Sequence, residues 1–401
     1  MNIQEIPGGI TAVPGFMACG IHAGLKKDKP DLALVYNAKL CSAAGVFTTN
    51  VVKAAPLLLS MEYLAKGYAH GVVINSGNAN ACNGPQGMVD AKAMAAAAAK
   101  AVGVGEQHML VASTGVIGQR LPMNKILPGI EKAAQQLAAD GGSMAAKAIM
   151  TTDLLPKEKA VQFELAGVPV TIGGMAKGSG MIHPNMATML GFIATDAVIE
   201  PTVLHSALKE VVDDTFNMIT VDGDTSTNDS VVLLASGTAG HATITEGSAD
   251  YAIFVQALAE VCGYLAQAIA KDGEGATTLL TVRVKNANTM ADARKAAKAV
   301  VGSNLFKAAV FGQDANWGRI LCAVGYSGSQ FNPEQVDIYI GDEQVAKNGG
   351  AVDFSEERAA EILGKDQVTV TVDLKEGHYS ATAWGCDLTY EYVRINGSYR
   401  T

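Results

Sequence analysis

The sequence predicts an α/β protein with an α+β layered architecture, in which sheets pack between helices. Three observations predict it: short apolar segments typical of strands, longer segments with helical spacing, and glycine-rich loops beside most of the apolar segments. Strands and helices mix without strict β-α-β alternation, so the pattern favours this architecture over a doubly wound parallel sheet. Apolar residues make up 49% of the chain and charged residues 17%, which allows a large core.

Seven segments are predicted to be strands because they are short, apolar and bounded by glycine or polar residues. Some of them alternate in polarity and others are continuously apolar, which indicates sheets that are covered on at least one face. The predicted strands are residues 72–75, 109–112, 168–172, 191–195, 230–235, 278–284 and 368–374.

Four longer segments are predicted to be helices. Residues 90–102 form an alanine-rich run that would pack closely against a neighbour. Residues 129–137 follow Pro128 and carry charges on one side. Residues 203–215 and 251–270 have apolar positions at helical spacing.

Composition excludes several classes of protein. A net charge of −9 without any run of lysine or arginine argues against a nucleic-acid partner. The N-terminus lacks the features of a signal peptide, and the alanine-rich stretch 94–102 is too short to cross a bilayer. Six scattered cysteines without a Cys-x-x-Cys pair predict reduced, mostly buried thiols and no metal site. We therefore expect a cytoplasmic protein with neither a nucleic-acid nor a membrane partner.

The most informative segment is residues 173–191, which contain the Ala187–Thr188 peptide bond. A glycine-rich loop and Pro184 precede Thr188, and an apolar run follows it. If the Thr188 hydroxyl attacked the carbonyl of Ala187, an N-to-O acyl shift would cut the chain. The new terminal threonine would carry both a nucleophile and, in its α-amino group, a base for its own hydroxyl. The alternative interpretation is an ordinary strand residue after a loop.

A second candidate feature is the glycine-containing segment 113–118, which follows the predicted strand 109–112. A tight turn at Thr114 and Gly115 could aim backbone N–H groups or the Thr114 hydroxyl at one point. Fixed donors of this kind stabilise the oxyanion that develops during acyl transfer. The alternative is a plain turn that ends the strand.

Three further side chains are suited to substrate binding. Thr151 could offer a hydroxyl to a cleft or cap a helix end. Lys177 could hold a carboxylate or depress the pKa of the Thr188 amine, or be a solvated surface lysine. Glu274, between two glycines, is expected to be exposed on a tight loop, where it could bind a cationic amine or serve only the turn. The aromatic and basic C-terminus, ending at Thr401, indicates a terminus tied into a site or a strand docked in a sheet.

Taken together and in this order, these motifs resemble the bifunctional ornithine acetyltransferase / glutamate N-acetyltransferase family of arginine biosynthesis. The resemblance covers essentially the whole chain, and the central block with Met-Ala-Thr-Met-Leu is its most specific part. The matching motifs are residues 47–50, 53–56, 75–82, 113–118, 150–153, 173–190, 223–229, 272–276, 314–319 and the Tyr-Arg-Thr end.

The resemblance implies an N-terminal-nucleophile-like site in the ornithine acetyltransferase fold. It also implies that the precursor cuts itself at Ala187–Thr188 into an α chain, residues 1–187, and a β chain, residues 188–401. These chains would remain together as an α2β2 heterotetramer. No cofactor is implied, and whether acetyl-CoA is also accepted as an acetyl donor stays open.

For the site, the resemblance implies that Thr188 is the nucleophile and that Thr114 and Gly115 form the oxyanion hole. The substrate would be N2-acetyl-L-ornithine, whose acetyl group passes through an acetyl-Thr188 ester to L-glutamate in a ping-pong cycle. The implied substrate contacts are Thr151, Lys177, Thr188, Glu274, Asn396 and Thr401, with the choice between Thr151 and Thr152 left open.

Two other functions remain open on the sequence. An N-terminal-threonine amidase or aminopeptidase would use the same Thr188 chemistry with water as the acceptor. A glycine-rich scaffold or ligand-binding protein would use Thr188 only as a structural residue. Cutting of the chain at Ala187–Thr188 would exclude the scaffold. A requirement for an amino-acid acceptor would exclude the amidase or aminopeptidase.

Overall fold

The computed structural model describes residues 2–183 and 189–398. Its strands are β1 Gln4–Ile6, β2 Phe16–Ile21, β3 Leu32–Phe47, β4 Tyr68–Asn78, β5 Met109–Val116, β6 Lys157–Leu165, β7 Val168–Lys177, β8 Leu190–Thr195, β9 Ser230–Ala235, β10 Leu279–Ala287, β11 Asp337–Ile340, β12 Glu343–Lys347, β13 Gly350–Ala351, β14 Gln367–Asp373 and β15 Tyr379–Cys386. Its α-helices are α1 Ala55–Leu64, α2 Gly84–Val102, α3 Met123–Gln135, α4 Gly142–Ile149, α5 Pro201–Asp214, α6 Ala249–Lys271, α7 Met290–Val301, α8 Asn304–Phe311, α9 Trp317–Tyr326, α10 Glu356–Leu363 and α11 Tyr390–Ser398.

Within the described residues, a large mixed sheet has the order β1-β6-β7-β8-β9-β3-β4-β5, with β2 also paired to β3. The pairs β8–β9 and β4–β5 are parallel, and the other pairs are antiparallel. Because β7 precedes the Ala187–Thr188 bond in sequence and β8 follows it, strands from both sides of that bond lie side by side.

Helices cover both faces of the large sheet. Neighbouring residues of a strand point to opposite faces, and Leu34 and Val35 of β3 accordingly belong to different apolar clusters. The cluster of Leu34 includes α2 and α3, whereas that of Val35 includes α4. Helices α5 and α6 pack against β3, β6 and β7 at the other end of the sheet. The predicted α/β class, with sheet between helices, is confirmed.

A smaller sheet follows in the C-terminal half, with the order β13-β12-β11-β14-β10-β15 in the described part of the chain. Strands β10 and β14 are parallel and the other pairs are antiparallel. Residues of α7 to α10, such as Val300 and Ile320, form a separate apolar core with Val282, Val370 and Val372 of this sheet. Two contacts join the smaller sheet to the part of the protein built on the large sheet. Ile219 forms a β-bridge with Trp384 of β15, and α6 packs against β15.

All seven predicted strands and all four predicted helices are present, but two helices begin much earlier than predicted, and α2 starts at Gly84 rather than at residue 90. Helix α3 begins at Met123 rather than after Pro128, and the proline lies inside the helix. Because Pro128 lacks an N–H, it removes one bond to the carbonyl of residue 124 without ending the helix. All six cysteines are free and four are buried, which confirms the expectation of mostly buried thiols.

Helix α6 is long and apolar enough to span a membrane by length and composition, which the sequence analysis overlooked in favour of residues 94–102. In the fold, α6 lies in the main apolar core, where Phe254, Leu258 and Leu265 are fully buried. The high hydropathy of α6 is therefore that of a core helix.

Candidate active site

A cavity of about 190 Å³ lies where residues from both sides of the Ala187–Thr188 bond meet. Met181, shortly before that bond, and Met189, directly after Thr188, both line it. The cavity also collects the six predicted site residues that the structure describes: Thr114, Gly115, Thr151, Lys177, Glu274 and Asn396. Positions as far apart in sequence as 114 and 396 thus converge. The predicted residues Ala187, Thr188 and Thr401 lie outside the described residues.

Thr114 and Gly115 lie at the end of β5, not in the tight turn that was expected. The parallel pairing of β4 and β5 becomes irregular here, beside Gly77 and Asn78. Gly115 has φ +130°, and a Cβ on it would lie 2.3 Å from the carbonyl carbon of Gly77. Only glycine fits this backbone. The bulged strand end therefore fixes the predicted oxyanion pair at the cavity wall.

Asn228, which the sequence analysis did not single out, ties this strand end to the strand beside β8. Its side-chain amide donates to the backbone carbonyls of Ala79, at 2.6 Å, and Ser113, at 2.9 Å. Asn228 is buried and lines the cavity just before β9 begins. It connects the predicted oxyanion pair to the part of the sheet that follows Thr188.

Lys177 is buried at the end of β7, so the surface alternative is excluded. Its Nζ lies 3.8 Å from Oδ2 of Asp153, which is fully enclosed behind the cavity wall. Burial raises the pKa of Asp153, but the charges of Lys177 and Lys157 outweigh that effect and hold the pKa well below its usual range. Lys177 therefore faces the cavity from beside an ionised carboxylate.

Thr151 and Thr152 both line the cavity in the loop that follows α4. The backbone N–H of Thr151 donates to Asp153 Oδ2 at 2.9 Å. This loop is thus positioned by the same carboxylate that lies beside Lys177. Both hydroxyls remain candidates for the substrate contact.

Glu274 is buried, with 6% of its surface exposed, so the expected exposed loop position is wrong. Asn396 in α11 donates from Nδ2 to Glu274 Oε2 at 2.8 Å. The glutamate also faces Gly180, where a Cβ would approach its carboxylate to 2.4 Å. Partners that are distant in sequence enclose this side chain, and no local pattern shows them. The C-terminal segment forms a helix tied to the cavity, not a docked strand.

Residues 181–183 are held by the segment 220–225. Asp222 accepts the backbone N–H groups of Met181 and Ile182 at 2.7 and 2.8 Å. Thr225 donates to the carbonyl of His183 at 2.9 Å. The sequence analysis gave residues 223–229 only as a motif of the family resemblance, without a structural role. The structure shows that Asp222 and Thr225 hold residues 181–183, which come shortly before the Ala187–Thr188 bond in sequence.

Two titratable side chains beside this loop have pKa values that are shifted from their usual ranges. Burial lowers the pKa of His183 to about 4, with a further effect from Lys298, so its imidazole is neutral near pH 7. Burial and the negative charge of Asp222 raise the pKa of Tyr392, which lines the cavity as a neutral phenol. Four carboxylates also line the cavity: Asp222, Asp224, Asp229 and Glu274.

The model of the ArgJ family matches residues 17–401. The chain belongs to the ArgJ family. The arginine biosynthesis bifunctional protein ArgJ of Symbiobacterium thermophilum is 57% identical over the full length of both chains. As an ArgJ family member, the protein is an enzyme of arginine biosynthesis and an acyltransferase.

Two solved chains are similar to parts of this one. The crystal structure of arginine biosynthesis bifunctional protein ArgJ from Bacillus halodurans has 51% identity and a TM-score of 0.52, and covers 53% of this chain and all of that chain. The crystal structure of ornithine acetyltransferase from Mycobacterium tuberculosis, complexed with ornithine, has 43% identity and a TM-score of 0.44. It covers 46% of this chain and all of that chain.

Proposed function

We propose that the protein is a glutamate N-acetyltransferase that moves an acetyl group from N2-acetyl-L-ornithine to L-glutamate. The observation that carries this proposal is the cavity beside Met189, where the described residues expected from the resemblance meet. A non-catalytic scaffold would not require these six residues, from five separate segments of the chain, to face one cavity. The similarity to arginine biosynthesis bifunctional proteins supports the same activity.

In the proposed first half-reaction, Thr188 Oγ attacks the acetyl carbonyl of acetylornithine while the Thr188 α-amine takes the hydroxyl proton. Thr114 and Gly115 stabilise the resulting oxyanion. The C–N bond then breaks, the proton passes to the leaving α-amino group, and ornithine departs. Lys177 holds the α-carboxylate and Glu274 the side-chain ammonium. An acetyl ester remains on Thr188.

In the second half-reaction, the α-amino group of glutamate attacks the ester carbonyl. The C–O bond breaks, the Thr188 oxygen regains a proton, and N-acetylglutamate leaves. Both substrates share an α-amino-acid head, so Lys177 serves both carboxylates in the same place. The two substrates therefore bind alternately in one cavity, as a ping-pong cycle requires.

The proposal includes self-cutting at Ala187–Thr188, because only a terminal Thr188 has a free α-amine. The solved Bacillus halodurans chain supports this, since over its full length it corresponds to 53% of this chain. The proposed β chain, residues 188–401, is the same fraction of the 401 residues. We further propose that the α and β chains assemble as an α2β2 heterotetramer in the cytoplasm.

The acceptor is tested by incubating the purified protein with acetylornithine in the presence and absence of glutamate. We expect ornithine and N-acetylglutamate to accumulate together with glutamate, and only a stoichiometric burst of ornithine without it. Equal release of acetate in both samples would instead establish a hydrolase that uses water. The word bifunctional in the relatives' names supports acetyl-CoA as a second donor, which the same assay tests when acetyl-CoA replaces acetylornithine.

Asp222→Asn is expected to slow the cutting of the precursor by about 10- to 100-fold, because small misplacement of reacting groups has effects of that size. An asparagine would set an NH2 group against one of the two N–H groups that Asp222 now accepts. The measurement is the time course of the two fragments on a denaturing gel. The matched control is Asp196→Asn, which loses a buried carboxylate bonded to the N–H of Thr171. Equal cutting rates in the two variants would contradict the role of Asp222.

A further inference from the structure

Four charged side chains form a buried ionic chain, Lys177–Asp153–Lys157–Asp272. Lys157 Nζ lies 2.8 Å from Asp153 Oδ1 and 2.6 Å from Asp272 Oδ2. Lys177 Nζ lies 3.8 Å from the other oxygen of Asp153. Only Lys177 lines the cavity; the other three lie behind its wall. The chain can therefore act on a bound substrate only through Lys177 and the loops that it supports.

Asp153 is the centre of this ionic chain. Its side chain has no exposed surface, and its two oxygens accept the N–H groups of Thr151 and Gly178 in addition to the Lys157 ammonium. A buried carboxylate with these donors stays ionised only because cations stand beside it. Two ammonium groups and two carboxylates balance the charge of the chain.

The distances show how the two lysines share Asp153. Lys157 makes a short ion pair with it, whereas Lys177 stands beyond the roughly 3.2 Å limit of a hydrogen bond. A third ammonium, that of Lys26, also lies near Asp153, but it donates to the carbonyls of Pro30 and Met150. Without the Lys157 charge, Asp153 would therefore draw Lys177 closer, and in a low-dielectric interior that attraction is strong. Lys177 would then bond to Asp153 and lose donors that now face the cavity.

We propose that Lys157 is a positioning residue that neutralises Asp153 and so leaves the Lys177 ammonium free to bind the substrate carboxylate. The inference rests on the proposed function, in which Lys177 holds the α-carboxylate. Asp272 completes the arrangement, because it is the second anion of Lys157 and also accepts the N–H of Leu154 at 3.0 Å. Lys157 thus connects the two loops behind the cavity without touching substrate.

The test compares N2-acetyl-L-ornithine with N2-acetyl-L-ornithinamide, in which a neutral carboxamide replaces the α-carboxylate. The carboxamide cannot form the charge-assisted hydrogen bond to Lys177, so the wild-type protein should have a KM about 10-fold or more lower for the acid. In Lys157→Met we expect this preference to fall by about 10-fold while kcat for either substrate changes less than ~3-fold. A purely structural role would instead raise both KM values together.

Two further variants sharpen the result. Lys157→Gln keeps a donor between the two aspartates but removes the charge, so it should also lose the preference for the acid. If Lys157→Met does not fold, Lys157→Gln provides the test. The matched control is Lys375→Met, which breaks the 2.6 Å ion pair to Asp337 in the smaller sheet and should keep the preference. A preference retained in the Lys157 variants would overturn the inference. A wild-type protein without any preference would refute the proposed role of Lys177 itself.

Discussion

Thr188→Ala is expected to remain a single uncut chain and to lose at least about 10⁴-fold in acetyl transfer, as enzymes do when a covalent nucleophile is removed. The alanine has no hydroxyl to attack the carbonyl of Ala187, and no hydroxyl to carry an acetyl group. Because Met189 and β8 stay in place, the variant should fold. A denaturing gel, the rate of N-acetylglutamate formation and the melting temperature together measure these expectations.

Thr195→Ala is the matched control for this experiment, since it removes a threonine hydroxyl from β8, seven residues after Thr188 in sequence. The Thr195 hydroxyl donates to the carbonyl of Thr171 at 2.8 Å, so its loss should lower the free energy of unfolding by about 1 kcal/mol. The control should still be cut into two chains and stay active. Detectable cutting of Thr188→Ala at the original position, or turnover above the level of a blank, would refute the nucleophile assignment.

Gly115→Ala is expected to lower kcat by about 10²–10³-fold, the usual effect of losing one oxyanion donor. The added Cβ would lie 2.3 Å from the Gly77 carbonyl carbon and 2.5 Å from the Asn78 nitrogen, which are backbone atoms that cannot turn aside. The strand end must therefore shift, and the oxyanion donors shift with it. Steady-state kinetics on the fully cut protein measures the effect without interference from slower maturation.

Gly118→Ala provides the comparison, because Gly118 also has a positive φ, +76°, three residues along the same segment. Nothing lies within 4 Å of a Cβ there, so only the backbone cost of about 1–2 kcal/mol applies. We expect a lower melting temperature with kcat close to wild type. If Gly115→Ala behaved like Gly118→Ala, the strand end could not be holding the oxyanion donors.

Local pattern predicted much of the fold but not its longest strand. The seven predicted strands have dense apolar runs, whereas β3 includes a polar centre and many small residues with low strand propensity. Its register also shifts between Tyr36 and Cys41. Long-range pairing with three other strands, β2, β4 and β9, stabilises it, and this information is not contained in the segment itself.

The site shows the same limit. Gly115 could be singled out because a glycine after an apolar strand indicates an unusual backbone, although the predicted tight turn is the end of β5. The burial of Glu274 could not be predicted, because it depends on Asn396, which is 122 residues away in sequence. Asn228 acts through backbone carbonyls that are 149 and 115 residues away. Lys157 pairs with Asp153 four residues before it, but its second partner, Asp272, is 115 residues away, so the sequence does not show the ionic chain. The resemblance supplied the residue roles, and the structure supplied the contacts that support them.

The order of strands in the large sheet limits how this protein can be made. Strands β8 and β9, which come after Thr188, lie between β7 and β3, which come before it. If the two halves were translated as separate polypeptides, each would present unpaired sheet edges, and such edges promote aggregation. Synthesis as one polypeptide lets every strand find its neighbour first. The gene should therefore resist being split at this position, even though its product is expected to work as two chains.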